Sequence, residues 1–208
     1  MPQYPLWKAD ALTAALRYGF RMRTAPALLV AALVVGTLAG CVPDDEPVRP
    51  DPSPTVEPIF ESDEEALAAA VEAYGAYLAV VDEISADGGA NPERLKKVAT
   101  ASVYEYELTG FQSYQSESKR TVGTTLVDTV SLQSADLSGY SVTGAVAIYA
   151  CEDYSQVDVL DSDGNSVVAA ERKTRWPITV SFDLTGTPSA PLIVAAVEDW
   201  TGTDYCEE

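Results

Sequence analysis

Three cysteines carry the most clearly defined chemistry in this 208-residue chain: Cys41, Cys151 and Cys206. The chain contains no histidine. A catalytic thiol needs an activating base or a cationic neighbour, and histidine is the usual one. We therefore expect structural roles for the cysteines and no metal site, because the commonest metal ligand is also missing.

Cys41 lies at the end of an apolar segment with the features of an export signal. Residues 25–37 contain no charge, and Arg17, Arg21 and Arg23 precede them. A basic region followed by a short apolar core predicts a secretory leader. The core is shorter than the ~20 apolar residues that span a bilayer, so a retained transmembrane helix is the weaker alternative.

The segment Leu38-Ala39-Gly40-Cys41 resembles the lipobox of bacterial lipoproteins. That resemblance implies diacylglyceryl transfer to the Cys41 thiol and cleavage before it. The predicted organisation is a signal peptide over 1–40, a lipidated cysteine and tether over 41–60, and one domain over 61–208. A start at Met22 gives a leader of the usual length, so we expect translation to begin there. The alternative is an ordinary secretory leader that happens to contain a cysteine.

The remaining cysteines, Cys151 and Cys206, are predicted to form a disulfide, because paired thiols in an exported domain are usually oxidised. The tether is rich in proline and acidic residues between positions 42 and 58, a composition that favours an extended chain. The whole chain has a formal net charge of −19. Such an acidic protein repels phosphate backbones, so nucleic acid is not an expected partner.

The domain begins with patterns typical of helices. Ser62 and Glu65 have capping-box spacing, and apolar residues then recur every three or four positions to about Ser85. Asn91-Pro92 predicts a second helix start, and a third helical pattern fades by about Ser118.

Beyond Thr121 the apolar period changes to two, which predicts strands. Tyr140, Val142, Val146 and Ile148 are assigned to one strand face, and 192–197 to a central strand. Helices followed by hairpin-linked strands predict an α+β fold, with N-terminal helices packed on a curved antiparallel sheet. The turn-rich segment 161–165 is predicted to connect two strands, in preference to a calcium loop.

This order of elements resembles the nuclear transport factor 2-like (ketosteroid-isomerase-like, cone-shaped) domains of actinobacterial surface lipoproteins. The motifs that carry the resemblance are Cys151-Glu152-Asp153, Asp163-Gly164 and Trp200 followed by Cys206. The resemblance covers about 60–208 and implies a cone-shaped domain. Cones of this kind host both enzymes and non-catalytic scaffolds, so the fold alone does not assign an activity.

Five residues are the predicted lining of such a cone: Tyr74, Tyr106, Asp128, Tyr149 and Trp200. They could bind a small apolar ligand or a cell-wall fragment, or the aromatic residues could simply fill the cone. In the isomerase-like alternative, Asp128 is the proton-abstracting base and Tyr74 a stabilising phenol. A third alternative is a module that contacts another envelope protein through the open face of the sheet.

We favour a non-enzymatic, lipid-anchored domain on the outer face of the cell membrane, with no cofactor and with either a small ligand or an envelope protein as partner. We assign no catalytic residue, because the sequence contains no phosphate loop, nucleophile elbow or metal-ligand cluster.

Replacing Cys41 with alanine tests the predicted anchor. Without the thiol there is no site for the acyl chains, and two acyl chains are what make such anchoring stable. We expect Cys41→Ala to leave the protein unprocessed or to release it, as measured by membrane fractionation and intact mass. A variant that is processed and retained in the membrane like the wild type would contradict the lipobox interpretation.

Overall fold

The computed structural model describes residues 58–207. The predicted leader, Cys41 and residues 41–57 of the tether lie outside the described residues. The described chain is α+β, with helices packed against antiparallel sheets. Its elements are α1 (Asp63–Ala86), a 3₁₀ helix (Pro92–Lys97), α2 (Ala101–Glu117), β1 (Arg120–Val122), β2 (Leu126–Ala135), β3 (Val146–Asp153), β4 (Asp158–Leu160), β5 (Arg175–Leu184) and β6 (Leu192–Asp199).

Helix α1 begins as its sequence predicts. The Ser62 hydroxyl accepts a hydrogen bond from the Glu65 amide at 3.2 Å, and the Glu65 carboxylate accepts from the Glu61 amide at 2.6 Å. These contacts satisfy amides that have no partner within the first turn of the helix. Ala66 and Ala70 are fully buried, whereas Val71 is 40% exposed. The buried stripe therefore begins with small residues that allow close packing on the sheet, and larger side chains follow from Tyr74 onward.

The turn after α1 brings the chain back against α2. Gly89 adopts φ +81°, and a Cβ at this position would lie 2.2 Å from the Phe111 carbonyl oxygen. Only glycine fits this close approach without moving the backbone. The segment predicted as a second helix forms the 3₁₀ helix, where Arg94 binds Asp87 at 2.7 Å.

The large sheet has the strand order β2-β3-β5-β6, and β1 pairs with β4 in a separate two-stranded sheet. The core lies on the helix-facing side of the large sheet. Its fully buried strand residues are Val146, Ile148, Ala150, Ile178, Val180, Phe182 and Val194. The sheet has three strand pairs, β2–β3, β3–β5 and β5–β6, and all of them are antiparallel. Two pairs join consecutive strands, whereas β4 lies between β3 and β5 in the chain.

Two strand predictions were wrong. Tyr140 and Val142 lie in the loop before β3 and are 76% and 60% exposed, because the strand begins only at Val146. The segment 192–197, predicted to be central, forms the edge strand β6. Its outer edge is covered by the segment between the 3₁₀ helix and α2: the Thr100 amide donates to the Val194 carbonyl at 2.9 Å, and the Val194 amide donates to the Val98 carbonyl at 3.1 Å. An edge covered in this way can be apolar on both faces.

The predicted disulfide is confirmed. Cys151 and Cys206 are bonded, with Cα atoms 5.8 Å apart, and both are buried. The bond holds the C-terminal segment against the face of β3 that points away from the helices. The Tyr205 hydroxyl strengthens this attachment by donating to the carbonyls of Ala150 at 3.2 Å and Ile178 at 2.8 Å.

Loss of this disulfide should destabilise the domain measurably. The bond closes a loop of 55 residues, and such loops contribute about 2–4 kcal/mol by restricting the unfolded chain. We expect Cys206→Ser to lower the free energy of unfolding in urea by about that amount. Wild-type protein unfolded in the presence of reductant is the matched control and should behave like the variant. Equal urea midpoints for oxidised wild type and variant would show that the bond contributes no stability.

Candidate functional site

A cavity of about 690 Å³ lies between the C-terminal half of α1, the middle of α2 and the small β1–β4 sheet. Its inner wall includes Tyr77, Glu107, Glu152 and Trp176. The exposed residues Val167 and Glu171 also line it, which places its opening at the segment before β5. The cavity has the size and mixed lining that small-molecule sites commonly have.

Glu152 is the most constrained polar residue in the cavity wall. It follows Ile148 and Ala150 on the helix-facing side of β3, and only 3% of its surface is exposed. One carboxylate oxygen accepts a hydrogen bond from the Tyr74 hydroxyl of α1, and the other accepts from the Tyr154 hydroxyl at 2.5 Å. A buried carboxylate needs such donors, because desolvation would otherwise cost several kcal/mol.

Glu107 forms a second buried carboxylate–phenol contact. It is 5% exposed on α2, and its Oε1 atom accepts from the Tyr77 hydroxyl at 2.8 Å. The ring of Tyr77 stacks on that of Tyr74 with centroids 5.6 Å apart. The two contacts therefore belong to one cluster, which joins α1, α2 and β3 at the closed end of the cavity.

Burial raises the pKa of Tyr74, Tyr77 and Tyr154 well above the ordinary tyrosine value. The neighbouring carboxylates Glu107 and Glu152 add to this effect, because a second negative charge beside them is unfavourable. The phenols therefore remain protonated donors at neutral pH. The cluster presents carboxylate acceptors that neutral hydroxyls hold in fixed positions.

The basic residues near the opening of the cavity bind other parts of the chain. Arg172 donates to the carbonyls of Tyr154, at 3.0 Å, and Val157. Lys173 pairs with Asp204, and its ammonium lies 4.8 Å from the centre of the Trp176 ring. These contacts fix the segment before β5 over the opening.

Tyr74, from the predicted lining, contacts the site through its hydrogen bond to Glu152 and is not itself part of the cavity lining. Asp128 is not in the cavity: its side chain is 50% exposed and pairs with Arg175 at 2.5 Å. The reason is a β-bulge. Thr129 adopts φ +50°, and the strand register shifts between Asp128 and Ser131. Asp128 therefore pairs with Cys151, on the sheet face away from the helices, while Val130 packs against the core.

The other three predicted residues also lie elsewhere. Tyr149 and Trp200 pack edge to face, with centroids 5.3 Å apart, and Tyr205 completes this cluster on the outer face of the sheet. Tyr106 is 42% exposed on α2, one position before Glu107. The expectation that these residues share one pocket is thus wrong, because strand and helix geometry direct them to different surfaces.

Glu107 and Glu152 were not predicted, although the sequence contains a signal for each. Glu152 continues the alternation of Val146, Ile148 and Ala150. Glu107 lies four residues from both Val103 and Phe111, which are buried on the same helical face. In both cases a carboxylate continues an apolar series, a pattern that indicates a buried charge.

The Asp161–Asn165 segment forms the predicted turn. One Asp161 carboxylate oxygen accepts hydrogen bonds from the amides of Asp163 and Asn165, each at 2.9 Å. These bonds lower the pKa of Asp161. Between residues 58 and 207 the structure contains no group of three or more side chains arranged to hold a metal ion.

No protein-family model matches the sequence, and no curated protein is significantly similar to it. Across residues 58–207, neither helix has the length and apolar character needed to cross a bilayer.

Alkaline unfolding tests the phenol–carboxylate cluster. Folding raises the pKa of the three phenols, so the unfolded chain loses their protons first, above about pH 10. These groups therefore stabilise the fold fully below that pH, and their contribution falls as the pH rises further. We expect Tyr74→Phe to cost about 1–3 kcal/mol at neutral pH and to weaken the alkaline loss of stability.

Urea unfolding between pH 7 and 12, followed together with tyrosinate absorbance, measures both effects. Tyr140→Phe is the matched control, because Tyr140 is 76% exposed. An identical pH dependence for Tyr74→Phe and wild type would show that the buried phenol is not coupled to folding.

Proposed function

We propose that this protein is a ligand-binding domain of the cell envelope, held on the outer face of the cell membrane by a lipid on Cys41. The observation that carries the proposal is the cavity of about 690 Å³ with two buried carboxylates in its wall. A packed interior at this position would instead have favoured a scaffold. Cavities of a few hundred Å³ with a few fixed polar groups are the usual form of a small-molecule site.

The proposed location is supported by the sequence and by the disulfide. The leader and the Leu38–Cys41 segment fit a lipoprotein, and the bond between Cys151 and Cys206 fits an oxidising compartment. The order of helices and strands is compatible with a nuclear transport factor 2-like cone. We keep that family assignment as part of the proposal.

Binding is better supported than isomerase chemistry. Asp128, the base in the isomerase-like alternative, is exposed and paired with Arg175. Glu152 is the buried carboxylate, but each of its oxygens already accepts a phenolic hydrogen bond. Both oxygens are therefore held in the cavity wall by protein donors. The arrangement thus favours a recognition role for Glu152.

The alternative of an interaction module is less well supported. The sheet face away from the helices is partly covered by the C-terminal segment, where Trp200 and Tyr205 pack with Tyr149. Tyr140 and Val142 are exposed in one loop, but two such side chains form a small surface.

Filling part of the cavity should weaken the binding of an apolar probe. Val81 lines the cavity on α1, so an indole at this position would occupy part of its volume. We expect Val81→Trp to weaken binding of the fluorescent probe N-phenyl-1-naphthylamine by about tenfold or more, a change equivalent to ~1.4 kcal/mol.

Val71→Trp is the matched control, because Val71 lies on the same helix and is 40% exposed. It should bind the probe like the wild type. Failure of the wild-type protein to bind the probe, or equal binding by both variants, would contradict the proposed use of the cavity.

A further inference from the structure

We propose that the ligand of this cavity is an organic cation: a small apolar body carrying an ammonium group that contacts Glu152, with Glu107 contributing to the same negative field. This inference rests on the proposed function and specifies the chemical class of the ligand. It follows from the cavity wall, the acceptor capacity of Glu152, the aromatic residues around it and the partners of the nearby basic residues.

Glu152 has acceptor capacity beyond its two tyrosine contacts. An ionised carboxylate offers about four lone-pair directions, and the hydroxyls of Tyr74 and Tyr154 occupy two of them. The same side chain lines the cavity although it is 3% exposed. A group entering the closed end therefore meets a fixed negative charge that can accept further hydrogen bonds. A cation at this position would also offset the desolvation of the carboxylate.

The two carboxylates act on the same region of the cavity. Glu107 and Glu152 both line the cavity, and the rings of their phenolic partners Tyr77 and Tyr74 stack with centroids 5.6 Å apart. Two negative charges in one buried region repel each other, and a single cation between them reduces that repulsion. An anionic ligand would increase it, and a neutral apolar ligand would leave it unchanged.

Aromatic side chains around Glu152 are suited to an ammonium group. Trp176 is the β5 partner of Glu152 in the sheet register and lines the same cavity. At the opening, the chain's own Lys173 ammonium lies 4.8 Å from the Trp176 ring centre and pairs with Asp204. The faces of aromatic rings attract cations, and the combination of ring and carboxylate already holds one in this protein.

The basic residues that line the cavity already bind other groups of the chain. Arg172 donates to two backbone carbonyls, Lys173 pairs with Asp204, and Lys119 pairs with Glu117. All three therefore have partners within the domain. The net charge of −19 further favours the approach of cations over anions.

Three matched probes test the inference: octylamine, octan-1-ol and octanoate, titrated calorimetrically into the full-length protein at pH 7.5. They share one apolar chain and differ in the charge of the head group. We expect octylamine to bind about tenfold more tightly than octan-1-ol, a difference equivalent to ~1.4 kcal/mol, and octanoate to bind least.

Replacing each buried carboxylate with glutamine tests which of them causes the preference for the amine. Glu152→Gln should remove most of the preference for octylamine over octan-1-ol, and Glu107→Gln should reduce it. Glu105→Gln is the control, because Glu105 is an exposed residue of α2 that is not part of the cavity lining. At position 152 glutamine keeps an acceptor for one of the two tyrosine hydroxyls, and at position 107 it keeps the acceptor for Tyr77. Thermal unfolding verifies that each variant is folded.

A measurement on the wild type alone keeps the inference testable if a variant fails to fold. Octylamine affinity should fall as sodium chloride is raised, whereas octan-1-ol affinity should not, because salt screens the charge interaction. Equal affinities for amine and alcohol, a preference for octanoate, or an amine preference retained in both Gln variants would overturn the inference while leaving cavity binding intact. No binding by any of these probes or by N-phenyl-1-naphthylamine would overturn the proposed function itself.

Discussion

The burial of Glu152 is the constraint on which the arrangement of helices and sheet depends. Moving an ionised carboxylate out of water is expensive unless donors replace its hydration. Here the donors come from Tyr74 on α1 and from Tyr154 just after β3. Helix α1 must therefore lie on the sheet at the position where the Tyr74 hydroxyl reaches Glu152. The hydrogen bond fixes the helix along its axis, a role that apolar packing alone performs poorly because it has no directional preference.

Side-chain size along α1 explains why a cavity exists beside this contact. The N-terminal half of the helix buries Ala66 and Ala70, which permit close packing over the sheet. The next buried residues are Tyr74 and Tyr77, whose rings stack on each other and end in hydroxyls bound to carboxylates. Rings held in this way cannot rotate to fill the space beyond them. The opposite face of the sheet is stabilised independently, by the disulfide and the aromatic residues of the C-terminal segment.

Local signals in the sequence predicted the local features of the fold. Ser62 and Glu65 marked the start of α1, and the cysteine count predicted the disulfide. The residues of the site are harder to predict than the fold, because a β-bulge and a buried charge both depart from a regular alternation of apolar and polar residues. Regular alternation through Thr129 predicts that Asp128 points into the cone, but the bulge at Thr129 reverses the face. Ile148 is buried in the core, so its neighbour Tyr149 lies on the opposite face of the strand. The same alternation directs Glu152 into the core, where a charged side chain is seldom expected.

The retention of two buried carboxylates is not explained by stability. Replacing a buried ionic cluster with apolar residues of similar volume often leaves stability unchanged or increases it. Glu107 and Glu152 lie at the closed end of the cavity, where apolar side chains could have filled the space and removed the electrostatic cost. The carboxylates add a fixed, negatively charged surface inside the cavity. The phenols keep that surface in place without neutralising it, because their pKa values are raised well above neutral pH. Such an arrangement is costly for a scaffold, but it gives a binding site the pre-organised charge with which to distinguish a cation from a neutral molecule of the same shape.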